Sequence, residues 1–262
     1  MPYTKNGIKY PRCTNIISDC TDSSGALTQW AANMVVEYMK EHLSDDPFCP
    51  YKGSEIFEKL EKARFNFRKV SQKALDIGSE VHDQIEKYLK ACMVGKSLGE
   101  TLSLVDAMEN LSEESKNAFG AFLKWKDENN LKPISLEQTV WGERWAGTCD
   151  YLGYYKDKLY VIDWKTSKAF YPEMRYQVAA YRSVTRYPTG EHYHSHGIKG
   201  HAKHYYPEGC GILRLDKETG MPEFKDTSKT YEKDLRVFNC MVELYFARHP
   251  RIAKRFDGVI PF

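Results

Sequence analysis

Hydrophobic residues in the first half of the chain recur at the spacing of an α-helix. Between residues 72 and 93, apolar side chains fall on about every fourth position. The stripe consists of Ile77, Val81, Ile85, Tyr88, Leu89 and Cys92. Because residues three or four apart share one face of a helix, this pattern predicts a helix over 72–93 with the stripe in a core. Weaker helical patterns predict a helix over 27–40 and another that begins at Ser54.

Ser112 marks the beginning of a further predicted helix. Its hydroxyl can cap the N-terminus, and acidic Glu113 and Glu114 follow in the first turn, where they favour the helix dipole. The apolar face comprises Ala118, Phe119, Phe122 and Leu123. We expect this helix to end at Asn129-Asn130.

After Pro133 the pattern changes to short aromatic runs that are typical of strands. The predicted elements are strands at 134–141, 145–155 and 159–166, a helix at 173–185, strands at 211–215 and 223–226, and a helix at 228–248. A helical first half followed by this βββαββα order predicts an α/β or α+β fold with a helical N-terminal region.

The composition is that of a folded protein with a substantial core. The chain has 262 residues, of which 42% are hydrophobic and 28% charged, which excludes disordered, collagen-like and coiled-coil classes. It contains no apolar run near the ~18 residues of a membrane span and no signal-peptide core at its start. Seven scattered cysteines without a CxxC pair are typical of a reducing interior. We therefore expect a cytoplasmic protein.

Positive charge is concentrated locally, although the whole chain is nearly neutral. Thirty-eight Lys and Arg against 36 Asp and Glu give a net charge of +2, so charge alone does not require a nucleic-acid partner. Residues 59–73, however, hold six cations and one acid, with Phe65 and Phe67 between them. This stretch is either a solvated helix face or a surface for backbone phosphates. Because it leads into the next helix, we expect phosphate contacts, from Arg64, Arg68, Lys69 and Lys73.

Two aspartates fall on strands that are predicted to pair. If residues 156–157 form the turn of a hairpin, Asp150 lies directly opposite Asp163, with their Cβ atoms ~4.5–5.5 Å apart. Lys165 follows two residues later and therefore projects from the same face. The hairpin then presents two carboxylates and one ammonium together.

Such a group is suited to a divalent metal ion. Carboxylate oxygens are the ligands that Mg²⁺ and Mn²⁺ prefer, and the bound ion activates water and polarises a phosphoryl oxygen. Lys165 would orient the water and stabilise the developing charge. The alternative is a surface hairpin with an ordinary Asp-Lys pair, which contributes little.

Four motifs in order resemble the PD-(D/E)XK nuclease superfamily, and most closely its RecB-like exonuclease branch of phage-type and mitochondrial genome-maintenance nucleases. The resemblance covers about residues 78–181. The matching residues are Gly78-x-x-x-His82, Gly147-x-x-Asp150, Asp163-Trp164-Lys165 and Gln177-x-x-x-Tyr181. Cys149 stands where the superfamily name implies proline.

The resemblance implies a role for each matching residue. Metal ligands would be Asp150, Asp163, His82 and the main-chain carbonyl of Trp164, with Lys165 as the catalytic lysine. Gln177 and Tyr181 would line the DNA channel, and Glu137, on the preceding strand, would bind a second metal or a water. Taken without the paired aspartates, His82 is more often a capping or partly buried histidine. By spacing alone, Gln177 with Tyr181 is as often a buried hydrogen-bonded pair.

The resemblance also implies a fold and an activity. We expect a restriction-endonuclease-like core, with a mixed central sheet flanked by helices, in a single nuclease domain over 1–262. Residues 1–70 would form a helical cover and 71–262 the core, with a loop insertion at 187–209. No iron–sulfur cluster is expected, because the clustered C-terminal cysteines of some relatives are missing.

The expected function is Mg²⁺- or Mn²⁺-dependent DNA exonuclease activity on single- or double-stranded ends. It would serve recombination, repair or phage DNA processing in a bacterial or phage-encoded protein, with a single-strand annealing protein as a further partner. The alternatives are a structure-specific endonuclease or resolvase on the same core, and a catalytically silent DNA-binding subunit.

Five of the eight histidines lie within thirteen residues, at His192, His194, His196, His201 and His204. Their spacing matches no standard zinc pattern and no cysteine pairs with them. We interpret them as part of an inserted loop at the rim of the site, with structural zinc as the alternative.

Overall fold

The computed structural model describes residues 3–21, 24–43, 53–94, 111–186 and 206–257. The chain divides into two compact units. The first, which we call the sheet unit, comprises Met1–Thr21 and Glu80–Phe262, and the second, the helical unit, comprises Asp22–Ser79. The His-rich stretch at 192–204 lies outside the described residues.

Seven strands and eight α-helices are present in these ranges. The strands are β1 (Tyr3–Lys5), β2 (Ile8–Tyr10), β3 (Lys132–Trp141), β4 (Ala146–Tyr155), β5 (Lys158–Lys165), β6 (Gly209–Leu215) and β7 (Pro222–Asp226). The helices are α1 (Cys13–Cys20), α2 (Ser24–His42), α3 (Gly53–Arg64), α4 (Asn66–Met93), α5 (Glu113–Asn129), α6 (Pro172–Val184), α7 (Tyr231–Arg248) and α8 (Pro250–Ala253). None of them is both long and apolar enough to cross a membrane.

A five-stranded mixed sheet in the order β3-β4-β5-β6-β7 forms the centre of the sheet unit. Only β5 and β6 are parallel, and α6 connects them. The other neighbours are antiparallel. The predicted βββαββα order and the mixed sheet flanked by helices are confirmed.

Helices cover both faces of the sheet. Val161 of β5 packs in one core with Val178 of α6 and Phe238 of α7. Trp164 of β5 contacts Phe122 of α5, with ring centroids 5.4 Å apart. Because residues of opposite parity point to opposite faces of a strand, these contacts assign α6 and α7 to one face and α5 to the other.

The β4–β5 hairpin has the register that the sequence predicts. Tyr155 pairs with Lys158, and the ladder continues to Tyr151–Ile162, one step before the two aspartates. The turn residues at 156–157 have φ values of 49° and 59°. A type I′ turn requires positive φ at both central positions, and its twist matches that of the strands.

Most of the predicted stripe on α4 is buried, but its C-terminal end is wrong. Val81, Ile85 and Leu89 are almost completely buried, whereas Cys92 is exposed and Ala91 is buried in its place. Cys92 lies one residue before the end of α4 at Met93, and the hydrophobic pattern does not indicate where along a helix the core beneath it ends. The Ser112 cap is confirmed, since its hydroxyl accepts a hydrogen bond from the Ser115 N–H at 3.2 Å.

The N-terminus forms a hairpin that the hydrophobic pattern does not predict. Strands β1 and β2 pair around Asn6 and Gly7, whose φ values are 51° and 78°. Arg12 then forms a parallel bridge with Ala146 of β4. Residues 3–21 therefore belong with the sheet, whereas the sequence grouped them with the helical cover.

The helical unit consists of α2, α3 and the first half of α4. Trp30 of α2 meets Phe67 of α4 edge to face at 6.5 Å, and the Asn66 side chain donates a hydrogen bond to the Met34 carbonyl at 3.3 Å. The predicted phosphate-binding cations are exposed on this unit: Arg64, Arg68, Lys69 and Lys73.

Candidate metal centre

Three potential metal ligands converge where α4 meets β3 and β4. His82 Nδ1 lies 3.6 Å from an Asp150 carboxylate oxygen and 3.9 Å from a Glu137 carboxylate oxygen. One donor atom from each residue lies within 4.8 Å of the other two. One imidazole and two carboxylates are a donor set that fits a divalent cation such as Mn²⁺ or Mg²⁺.

The orientation of His82 is set by the main chain of β5. Its Nε2 lies 3.1 Å from the Trp164 carbonyl oxygen. Since a carbonyl only accepts, Nε2 carries the proton and donates, and Nδ1 is the nitrogen that faces the carboxylates. The Trp164 N–H donates to Asp150 at 2.8 Å. One peptide segment of β5 therefore positions two of the three potential ligands.

Glu137 is held in an unusual backbone conformation. It lies inside β3 but has a φ of 47°, which is the left-handed region that non-glycine residues avoid. The ladder pairs the residues on either side of it with β4. Such strain costs on the order of 1–3 kcal/mol, and it is found where a side chain must point into a site.

Asp163 belongs to a neighbouring network rather than to the three-residue cluster. One carboxylate oxygen lies 2.5 Å from the Lys165 ammonium, and the other accepts a hydrogen bond from the Gln177 amide at 3.1 Å. The same amide also donates to the Tyr181 hydroxyl at 3.2 Å. The structure therefore brings the D-x-K and Q-x-x-x-Y motifs together, with Gln177 and Tyr181 holding Asp163 in place.

Asp163 is 1% exposed and Asp150 7% exposed, so their charges must be compensated internally. Burial raises the pKa of Asp163 to about 6, against the opposing effect of Lys165, and burial also raises the pKa of Asp150. Burial lowers the pKa of Lys165, but both carboxylates outweigh it and keep this pKa above its usual value. Both aspartates therefore depend on neighbouring cations.

His82 supplies the second cation. Burial alone lowers its pKa, but Asp150 and Glu137 raise it from 6.5 to about 9. The protein without metal is therefore stabilised by protonated His82 below pH 6.5, and this stabilisation is lost as the pH rises through about 9. A divalent cation would take the place of this proton.

No protein-family model matches the chain, and no curated protein is significantly similar to it. The assignment of a function therefore rests on the site itself and on the motifs of the sequence.

Gly147 leaves the space that the ring of Tyr181 occupies. A Cβ at this position would lie 2.5 Å from the Tyr181 ring and 2.7 Å from its hydroxyl. Tyr181 is 3% exposed and its ring also stacks on Trp145, so it cannot move away cheaply. The glycine of the Gly147-x-x-Asp150 motif is therefore required by packing against the Gln177–Tyr181 pair.

We expect Gly147→Ala to lower the free energy of unfolding by about 1–3 kcal/mol because of overpacking, measured by urea denaturation. It should also reduce activity, since a displaced Tyr181 no longer holds Gln177 against Asp163. The control is Gly120→Ala in α5, where a Cβ meets nothing within 4 Å and helix propensity favours alanine by ~1 kcal/mol. A Gly147→Ala protein as stable as the wild type would contradict this packing argument.

We expect Mn²⁺ binding near neutral pH to release about one proton, because His82 must lose its proton to become a ligand. The apparent affinity should rise with pH up to about 9, the pKa of His82. Calorimetric titration in buffers of different ionisation enthalpy measures the released proton. His82→Gln, which cannot titrate, should bind Mn²⁺ more weakly and without that release. Equal proton release in the two proteins would show that the released proton does not come from His82.

Two of the roles predicted from the sequence remain predictions. Arg64, Arg68, Lys69 and Lys73 belong to the helical unit, and their contact with phosphates stays a prediction, as does the role of Asp163 as a metal ligand. Sequence reasoning also missed the N-terminal hairpin beside the site, although Asn-Gly between two alternating runs is a strong hairpin signal.

Proposed function

We propose that this protein is a metal-dependent deoxyribonuclease with a restriction-endonuclease-like core, and that it acts as an exonuclease, as its motifs imply. The proposal is carried by one observation, which is that a set of potential metal ligands and an Asp–Lys pair meet at adjacent strands. A His82–Glu137–Asp150 donor set lies where α4 meets β3 and β4, and an Asp163–Lys165 pair lies at the end of β5. Phosphodiester hydrolysis uses these two elements, a divalent-cation site and a cation beside it.

His82, Asp150 and Glu137 would hold the metal ion, and Asp163 would be a further ligand, as the motifs imply. When bound, the ion would polarise the phosphodiester and supply a nucleophile near neutral pH. The Trp164 peptide fixes the orientation of His82 and Asp150 beforehand, so little reorganisation is needed.

Lys165 is the residue suited to act on the substrate. Its side chain is 23% exposed, whereas that of its partner Asp163 is 1% exposed, so Lys165 is the more accessible member of the pair. From this position it can orient a water molecule and stabilise charge that develops on the phosphoryl oxygens. Gln177 keeps Asp163 aligned with Lys165 by donating to the opposite carboxylate oxygen.

The test is time-resolved digestion of end-labelled linear DNA beside a sealed circle, with Mg²⁺ or Mn²⁺ and with EDTA as the control. An exonuclease releases nucleotides from the linear ends only in the presence of metal and leaves the circle intact. Cutting of the circle would support an endonuclease on the same core instead. Absence of metal-dependent degradation of any DNA would contradict the proposal and support a silent binding subunit.

A further inference from the structure

An aromatic cluster with two cations lies where the N-terminal hairpin meets the end of β3. The rings of Tyr3 and Tyr10 contact Trp141 edge to face, at centroid distances of 6.2 and 5.2 Å. The Lys5 ammonium lies over the Trp141 ring at 5.5 Å, and the Arg12 guanidinium lies over the Tyr3 ring at 5.8 Å. Tyr3 and Trp141 are only partly buried.

This cluster is linked to the metal centre by the strands themselves. The Tyr3 hydroxyl lies 2.7 Å from the Thr148 hydroxyl, two residues before Asp150 on β4. Thr148 pairs with Thr139 of β3, and Thr139 is exposed. Glu137, Thr139 and Trp141 succeed one another at two-residue steps, so this line is ~14 Å long.

The line thus offers the groups that hold single-stranded nucleic acid. Aromatic rings stack on unpaired bases, guanidinium and ammonium groups contact phosphates, and hydroxyls donate to phosphate oxygens. Paired bases are not available for stacking on side chains. All the residues of the line belong to the sheet unit.

We propose that Thr139, Thr148, Trp141, Tyr3, Lys5 and Arg12 form a binding path for the unpaired nucleotides of a single-stranded DNA end that enters the metal centre. The proposal rests on the nuclease function proposed above and adds the substrate class, single-stranded rather than double-stranded ends.

Thr139 gives the sharpest variant, because it is exposed and lies midway along the path. We expect Thr139→Glu to weaken binding of a fluorescein-labelled dT12 oligonucleotide about tenfold through repulsion of its phosphates, measured by fluorescence anisotropy in EDTA. Thr139→Gln, which is similar in size to glutamate, has no charge and can still donate a hydrogen bond, should lose less affinity than Thr139→Glu. Wild-type protein should bind dT12 more tightly than the dT12–dA12 duplex.

Trp141 tests the stacking part of the path. Trp141→Leu should weaken dT12 binding about tenfold, and Trp141→Phe, which retains a ring, should recover most of the loss. A purely structural role for Trp141 would change the melting temperature of the variants, measured by thermal unfolding, without this difference in dT12 binding. Equal dT12 affinity of wild type and Thr139→Glu, or a preference for the duplex, would overturn the proposal.

The binding assay contains EDTA, so its result is independent of hydrolysis. Binding of dT12 along this path without metal-dependent degradation of DNA would support the path and contradict the nuclease function. Metal-dependent degradation of DNA, with a dT12 affinity that is the same in wild type and Thr139→Glu, would support the nuclease function and contradict the path.

Discussion

Asp163→Asn is expected to reduce metal-dependent DNA hydrolysis by ~10³-fold or more while the protein stays folded. The asparagine has the shape of the aspartate, and its side-chain oxygen can still accept the hydrogen bond that Gln177 donates to Asp163. It removes the negative charge that Lys165 contacts at 2.5 Å and that a divalent cation requires. Initial rates on end-labelled DNA and thermal unfolding of the same preparation measure both parts of the prediction.

The same hairpin offers a matched control for this substitution. Asp157 lies in the turn, where its side chain is 95% exposed, and asparagine tolerates positive φ well. Asp157→Asn should therefore leave the rate of hydrolysis unchanged. If Asp163→Asn degrades DNA at the wild-type rate, the assignment of Asp163 to the reaction is wrong.

Lys165→Met should abolish most hydrolysis and also make the thermal stability of the protein more dependent on bound metal. Without the ammonium, the negative charges of the buried Asp163 and Asp150 are less compensated, and loss of one partner of a buried pair costs about 3–5 kcal/mol. A bound divalent cation restores positive charge at this point. We therefore expect a lower melting temperature without metal and a larger increase on addition of Mn²⁺ than in the wild type.

Lys158→Met on the same strand is the control. Lys158 is exposed at the other end of β5, so its replacement should change neither the rate nor the Mn²⁺-induced increase in melting temperature. Thermal unfolding with EDTA and with saturating Mn²⁺ gives the two increases. A Lys165→Met protein with wild-type stability in EDTA would show that Lys165 does not compensate the aspartates.

The stabilising effects expected of Lys165 and of a bound metal ion have the same origin, which is the negative charge of the site. Asp150, Asp163 and Glu137 carry three negative charges, and in the absence of metal Lys165 and protonated His82 supply two positive ones. The carboxylates must be ionised and close together for metal binding, and this arrangement is tolerable only when cations surround them. We therefore expect conditions that remove metal and raise the pH above about 9 to destabilise the protein most.

Local sequence signals were sufficient for the β4–β5 hairpin. Two adjacent residues at 156–157 set the pairing register, so the ladder up to Tyr151–Ile162, one step before Asp150 and Asp163, followed from counting. The Ser112 cap and the βββαββα order were equally local. The Asn6-Gly7 hairpin was available in the same way, but its strands of three residues produce little hydrophobic pattern.

The sequence by itself determined which residues can carry the chemistry, because residue types and short spacings within one element are local properties. Only the tertiary structure decided how they cooperate. It turned Gln177 and Tyr181 toward Asp163. It brought the carbonyl and the N–H of Trp164 to His82 and Asp150. It also put Glu137 into a strained conformation. These relations join elements far apart in the chain, and packing of the complete core selects them over the many other arrangements that local preferences allow.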